Sequence, residues 1–566
     1  MDKRAIIGFI VIMAVLLLWF PIWNFFFPPP PRPVQPDTTT VAETTAVMAE
    51  TLAAPPPPPV MAAADTTTLT QNQPERLITV DTRNLRVAIS SIGGNVKQVV
   101  LKNYLTEDAD QVRMLAQYNE LEWARYGALT LGYVDQMAPF NAYSFQVDGD
   151  SVILNKQDST VTITFTFVAP DSATVVKRYT FHYEEYLFNL TVNITEPQKL
   201  GVGQGLTLGW FAPLEPTEAD LNQDRGKLGG FFGMGGEFDY FSKLKNGGLK
   251  QVATGPVDWV ATRTKYFTAV VLAQTEPGRE VVVVGSQVSR MDAFGKPVSW
   301  PLFGAGLTYS NPEKVTSFDF DIYTGPLDYD KLSGMGQGLS HLVDLGWKFF
   351  RPFAIAILWL FTNMFKLIGN YGIVIIVFSV LMKVVFWPLS LKSAKSMYKM
   401  KEIQPKLQEI KEKHKNDPSK LNQETMKAYK EFGVNPFGSC LPMLIQMPIF
   451  FALYAVLSNT IELRGAYFAF WITDLSRPDP SGKYLFGFGV LPIIMGISMF
   501  FQQKMTVTDP KQKMMVYMMP VIFTFIFRNL ASGLVLYWAM FSIIGIFEQW
   551  MVMRHIKAEK EARRSA

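Results

Sequence analysis

The sequence predicts a membrane protein in two parts: an all-α membrane domain, with six transmembrane helices of which five form the core, and an exported all-β sandwich. Three observations predict it. Apolar runs long enough for a bilayer stand at residues 5–27 and repeatedly beyond residue 340. Between them the chain alternates polar with β-branched and aromatic residues, the period of half-buried strands. The 566 residues are 48% hydrophobic and 18% charged, too apolar for a wholly soluble chain and too polar for spans alone.

At the amino end, Ala5–Phe27 follows Asp2-Lys3-Arg4 and runs into the proline tract Pro28–Pro31. Such a run exceeds the apolar core of a cleaved signal peptide, so residues 1–27 are expected to be an uncleaved transmembrane anchor. Residues 28–76 are rich in Pro, Ala and Thr and poor in large apolar side chains. They cannot bury a core and are expected to form a disordered linker.

Residues 77–335 are expected to form the sandwich. Strands are predicted at Leu77–Thr82, Leu85–Ser91, Thr160–Val168, Val175–Thr195, Val281–Ser289 and Lys314–Tyr323, with glycine-rich turns, notably Gly226 to Gly248. Glu184, Glu185, Asp239 and Asp258 read as surface acids and not as a catalytic pair. Cys440 is the only cysteine, so the exported part must fold on its own core without a disulfide. Cys440 lies in an apolar run and reads as a small buried residue. The four histidines are scattered without ligand spacing, and no phosphate-binding loop or nucleophile motif is present. No cofactor, metal or enzymatic activity is expected.

Residues 340–368 are predicted to be an amphipathic helix lying along the membrane. Phe349–Phe365 is short, interrupted by Arg351 and Pro352 and flanked by Lys348 and Lys366; a full span is the alternative. The core, residues 369–554, carries spans at Tyr371–Leu391, Phe437–Ser458, Phe486–Phe501, Met514–Phe527 and Ser532–Met553. The third and fourth are short, and the last two are joined only by Arg528–Ala531.

Charge sets the orientation. From residue 392 to 436 eleven lysines face six acids, leaving +5; from Arg554 to the end five bases face two acids, leaving +3; the loop from Thr460 to Leu485 is neutral. Basic segments stay cytoplasmic. The amino terminus, the hairpin at 392–434 and the basic tail at 555–566 are therefore expected inside, and residues 28 to about 340 outside.

Within the hairpin, Met400, Ile403, Leu407 and Ile410 fall on a heptad-like seam. Asn416-Asp417-Pro418 breaks that helix and starts the next, where Leu421, Thr425, Ala428 and Phe432 continue the seam before Gly433. Two antiparallel helices with a thin apolar face and exposed lysines follow. They are either a solvated charge block or a docking arm for nascent chains, ribosomes or anionic lipid. Stacking aromatics are sparse, so nucleic acid is not an expected partner.

Lys383 is the only formal charge in Tyr371–Leu391. It lies about 18 Å along the helix from Tyr371 and about 12 Å from Leu391. A cation at that depth costs several kcal/mol unless it meets water or a partner. Ser379 and Ser390 share its stripe, and a polar stripe on a spanning helix calls for a wet cavity.

Gly369-Asn370-Tyr371-Gly372, the cation at 383, Pro388 and Asn435-Pro436-Phe437-Gly438-Ser439-Cys440-Leu441-Pro442 resemble the YidC membrane protein insertases. So do Gln446-Met447-Pro448-Ile449-Phe450, Thr508-Asp509-Pro510, Met519-Pro520-Val521-Ile522-Phe523-Thr524 and Ser532-Gly533-Leu534-Val535-Leu536-Tyr537. The resemblance runs from about 345 to 554 with order and spacing kept. It is weaker over 77–335, which is similar to the periplasmic sandwich of Gram-negative members, and absent over the linker. It implies a protein of the bacterial inner membrane that inserts and helps fold membrane proteins, alone or beside the Sec translocon. It further implies a cytoplasm-open hydrophilic groove bearing Lys383, which receives the polar segment of an incoming chain while its apolar part slides into lipid.

Candidate groove partners are Ser379, Gln446 with Ser439, Ser498 with Gln502, and Tyr537. Two positions depart from the family pattern. Lys383 stands where arginine is common, keeping the charge but losing the planar fork. Arg528-Asn529 replaces an aromatic and proline-containing tip, which places the outer hairpin among headgroups.

The rival class is a secondary transporter or channel using Lys383 as an anion or proton site. Against it, Lys383 has no evident intramembrane partner and the spans show no internal repeat. A tethered carbohydrate-modifying enzyme is a third class, opposed by the lack of an acid–base pair.

Overall fold

A computed structural model describes residues 74–565 apart from 117, 119, 133–136, 201–204, 219, 246–247, 293–294, 310–316, 434–440, 484–486 and 507–512. The expected anchor at 1–27 and nearly all of the linker expected over 28–76 lie outside the described residues, as do Ser439 and Cys440.

The exported part is built from antiparallel strands in two sheets. The smaller has the order Gln111–Arg113, Val96–Leu105, Leu85–Ser90, Leu77–Asp81 and Val152–Ile153, with only the last pair parallel. The larger runs from Thr130–Gly132 through Leu206–Trp210, Pro297–Tyr309, Gly278–Met291, Gly248–Arg263, Phe267–Ala273, Ser317–Pro326, Leu187–Thr195, Thr174–His182 and Thr160–Val168 to Gln146–Asp148. Alternation drives the layering. In Leu187–Thr195, Phe188, Leu190, Val192 and Ile194 point into the core, and Trp210, Trp259 and Trp300 fill it.

Two local expectations are corrected. Val175–Thr195 is not one strand but a hairpin, Thr174–His182 with Leu187–Thr195, because the polar His182–Tyr186 stretch reverses the chain. Gly226 to Gly248 is not a turn region. It holds the hairpin Gly230–Met234 and Glu237–Phe241, whose reversal at Gly235-Gly236 needs φ of +59° and +81°. Hydrophobic Phe231 and Phe232 give these glycine-rich strands a face to bury.

One buried cation pins the sheets together. Lys177 is fully buried, and its Nζ donates to Gly93 O (3.0 Å), Leu129 O (2.9 Å) and Asn95 Oδ1 (2.5 Å). Those acceptors satisfy its three donors, while burial lowers the ammonium pKa to about 7.

Among the described residues beyond 350 there are seven α-helices: α1 (Arg351–Ile368), α2 (Tyr371–Lys413), α3 (Pro418–Glu431), α4 (Leu441–Asn459), α5 (Val490–Thr506), α6 (Lys513–Phe527) and α7 (Ser532–Ser565). Among the described residues, α1, α2 and the first part of α7 are long and apolar enough to cross a membrane. Helix α1 buries Ala354, Ile357, Leu358 and Phe361 along one stripe and leaves Trp359 and Leu367 outward. Asn370 Oδ1 caps α2 by accepting from Ile373 N (3.1 Å).

The span ending at Leu391 continues without interruption into the hairpin. Helix α2 is one rod of 43 residues, about 65 Å long, far beyond a hydrocarbon core of about 30 Å. Its second half is therefore the first hairpin arm. Asp417 caps α3 by accepting from Lys420 N (3.0 Å), and Ile403 and Ala428 are the fully buried seam residues. Lys406 crosses the arms to Glu431 (3.2 Å) and lies over the Phe432 ring.

The sandwich is clamped to the α4–α5 loop by desolvated charge. Glu218, buried, binds Arg464 Nε (2.7 Å) and Arg477 Nη2 (3.2 Å), and Arg477 also pairs with Glu107 and Asp474. The Arg464 guanidinium lies over the Phe267 ring, and Tyr266 OH donates to Ser458 O (3.3 Å). Nearby Glu462 has an oxygen sealed from solvent without a hydrogen-bond partner; burial, with Asp328 and Asp330 facing it, raises its carboxyl to about 7.

Candidate functional site

Helix periodicity brings together one cluster from α2, α5 and α7. Lys383 sits about 18 Å along α2 from its first residue and Glu548 about 24 Å along α7, so both lie within the apolar stretches of their helices. The Lys383 Nζ is 3.1 Å from Glu548 Oε2 and 3.7 Å from the centroid of the Phe541 ring. Both charged groups are buried, at 8% and 7% exposure. Lys383 thus has the intramembrane partner that its sequence context did not reveal.

Phe541, Gly545 and Glu548 are spaced i, i+4 and i+7, so all three line one face of α7. A Cβ at Gly545 would stand 3.0 Å from Lys383 Nζ and 2.3 Å from Gln502 Nε2, so both flexible polar tips lie against the bare Cα of Gly545. Glu548 Oε1 is buried without a hydrogen-bond partner among the described residues, so half of this carboxylate is unsatisfied.

The residues predicted from sequence divide into two groups. Gln446 Nε2 donates to Tyr537 OH (3.2 Å), bridging α4 and α7. Tyr537 is buried, and its ring packs on Phe378 and on Phe541, the ring under Lys383. Gln502 joins the cluster directly. Ser379 and Ser498 are buried but do not face it with their donors. Ser379 Oγ donates to Ile375 O (2.7 Å) and Ser498 Oγ to Met495 O (2.8 Å), each inside its own helix. Glu548, Phe541 and Gly545 were missed. The legible signal was an acid inside the last apolar run, on the face already marked by Tyr537.

Chemically, the cluster is a neutral ion pair held between two helices, with an aromatic face beside the cation. Its Nζ can exchange one carboxylate for another without either leaving the low-dielectric interior. Among the described residues, no group of three or more His, Cys, Asp or Glu could hold a metal ion.

Comparison with known proteins places these helices and sheets in context. The 60Kd inner membrane protein family matches residues 359–560, and the YidC periplasmic domain family matches residues 77–360. Membrane protein insertase YidC of Syntrophus aciditrophicus is 33% identical over 491 residues, covering 85% of each chain. That of Chlorobaculum parvum is 33% identical over 513 residues (86% of this chain, 84% of the relative), and that of a Geobacter species 34% over 496 (85% and 86%). The crystal structure of an active YidC insertase with its first transmembrane domain resolved is 18% identical, spans 84% of this chain and 92% of its own, and superposes with a TM-score of 0.36.

Proposed function

Because the chain belongs to the YidC family of membrane protein insertases, we propose that it inserts integral proteins into the inner membrane by carboxylate exchange at Lys383. The observation that carries this reading is the buried 3.1 Å pair between Lys383 and Glu548. A client's acidic exported segment cannot cross hydrocarbon as a bare charge. Within the groove it takes Lys383 Nζ from Glu548, while the client's apolar segment moves into lipid. Glu548 is then a buried charge without a partner, at a cost of several kcal/mol. Its return to Lys383 displaces the client's carboxylate and resets the site. Gln446 with Tyr537 and Gln502 supply polar contacts along the same wall, while Ser379 and Ser498 bond within their own helices.

In this reading the amino terminus, the lysine-rich hairpin and the basic tail face the cytoplasm, and the sandwich is periplasmic. Helix α1 lies along the outer interface, tied to the sandwich end by Arg351 Nη2 donating to Ser340 O (2.8 Å). The hairpin, with its excess of lysines, is the docking arm for nascent clients and the anionic ribosome surface, and the Sec translocon is the partner for larger clients.

Lys383 with Glu548 also has the paired charges that a transport site uses, yet the spans carry no internal repeat. Proteoliposomes separate the readings. Added small membrane proteins with acidic tails should insert, without ion or solute flux. Lys383→Arg should retain insertion, whereas Lys383→Glu, facing Glu548, should abolish it. Full activity of Lys383→Glu on such clients would sink the exchange mechanism.

A further inference from the structure

Helices α5 and α6 meet closely where a Cβ on Gly496 would stand 2.1 Å from Thr524 Oγ1. Beside this contact lies a groove of about 540 Å³, lined by Phe488, Ile493, Ile497, Phe500, Val521 and Phe525. The wall is almost wholly apolar, and Val521 (70% exposed) and Phe525 (54%) look outward from it. Along α5 the lining runs about 12 Å from Ile493 to Phe501, most of one leaflet of a hydrocarbon core about 30 Å thick.

One end of the groove is capped by a cation. The Arg528 guanidinium carbon lies 4.2 Å from the centroid of the Phe525 ring and 5.5 Å from that of Phe488, the two rings that close this end. Arg528 Nε is buried without a hydrogen-bond partner, and no carboxylate pairs with this arginine among the described residues. Asp479, the acid at the start of α5, is already committed, accepting from Leu491 N (2.7 Å), Ser481 N (2.9 Å) and Ser481 Oγ (2.6 Å). A guanidinium with an unpartnered Nε at the mouth of an apolar groove nearly one leaflet long suits an anionic amphiphile.

We propose that the α5–α6 groove is a binding site for an anionic phospholipid, with its phosphate on Arg528 and one acyl chain along Phe525, Val521 and Ile497. Guanidinium and phosphate match as a bidentate, charge-assisted pair. The cation at one end and the apolar wall behind it match the headgroup and acyl chain of a lipid, whereas a client's apolar helix carries no anion to meet Arg528. The site is independent of the carboxylate exchange at Lys383, which lies on α2. It gives Arg528, at the tip of the short outer hairpin, a ligand of its own.

The test uses the full chain in vesicles of equimolar phosphatidylcholine and phosphatidylglycerol, released for native mass spectrometry, with a photoreactive residue at Val521 as a second readout. The wild type should retain phosphatidylglycerol over phosphatidylcholine by about tenfold, the value of one good charge-assisted contact. Arg528→Gln should erase that preference, Arg528→Lys should keep most of it, and Val521→Trp should reduce retention of both lipids. Soluble glycerol phosphate should not displace the lipid; displacement would reduce the site to a free-anion site. An unchanged preference in Arg528→Gln, retention indifferent to Val521→Trp, or crosslinks from Val521 to a client's apolar segment or to a second copy of this chain would each overturn the proposal. Should Arg528→Gln not fold, Arg528→Lys and Val521→Trp carry the test.

Discussion

Replacing the intramembrane pair as a whole, Lys383→Met with Glu548→Leu, separates a structural ion pair from a working one. At 3.1 Å and an effective dielectric constant of 20, the attraction between the two groups is about 5 kcal/mol. Desolvating both ions costs several kcal/mol each, so the pair contributes little net stability. An apolar replacement of similar volume is expected to be neutral or stabilising by about 1–4 kcal/mol. Phe541, which stacks on Tyr537, keeps its packing and loses only a cation. Insertion should respond very differently. A carboxylate at the bilayer centre costs about 3 kcal/mol without a counter-charge. Removing Lys383 should therefore slow clients with acidic exported tails by about 100-fold and leave clients with neutral tails near the wild-type rate. The assay is insertion into proteoliposomes measured beside thermal unfolding of the same preparation. A double variant that is stable and inserts acidic-tailed clients at the wild-type rate would refute the exchange mechanism.

Three further outcomes are expected. Glu218→Gln strips a desolvated Arg464 of its carboxylate and should destabilise the junction of sandwich and membrane helices by about 3–5 kcal/mol; hydrogen exchange in the loop from Thr460 to Leu485 reports it, and unchanged protection would mean a solvent-screened pair. Ile403→Asp places a carboxylate in the part of the hairpin seam that is fully buried among the described residues and should open the two arms to protease while the spans stay intact, with client insertion lost; normal insertion would leave the hairpin a charge block alone. Glu462, held near 7 against its ordinary 4.5, keeps a proton in the folded state that the unfolded chain releases, so stability is greatest below about pH 4.5 and falls as pH rises toward 7, by at most about 3 kcal/mol. Glu462→Gln should flatten that slope in thermal unfolding measured between pH 5 and 8, and a slope unchanged by the substitution would place its origin elsewhere.

What could be read from the chain alone is what depends on neighbours in sequence. Strand alternation in Leu187–Thr195, the helix start at Asp417, the shortness of α5 and α6 and the depth of Lys383 all follow from local turn chemistry, from periods of two or 3.6 residues and from helix rise. The same local logic failed where a boundary hung on a reversal, as at His182–Tyr186. The site itself was half legible. Lys383, Gln446, Gln502 and Tyr537 announced themselves as polar groups in apolar runs, whereas Ser379 and Ser498 turned their donors back onto their own helices. Glu548 is 165 residues from Lys383, and Arg464 is 246 from Glu218. No periodicity links such pairs. Whether they meet depends on the rotation and spacing of whole helices and on the docking of the sandwich. At Gly496 that spacing leaves no room for a side chain, since a Cβ there would stand 2.1 Å from Thr524 Oγ1.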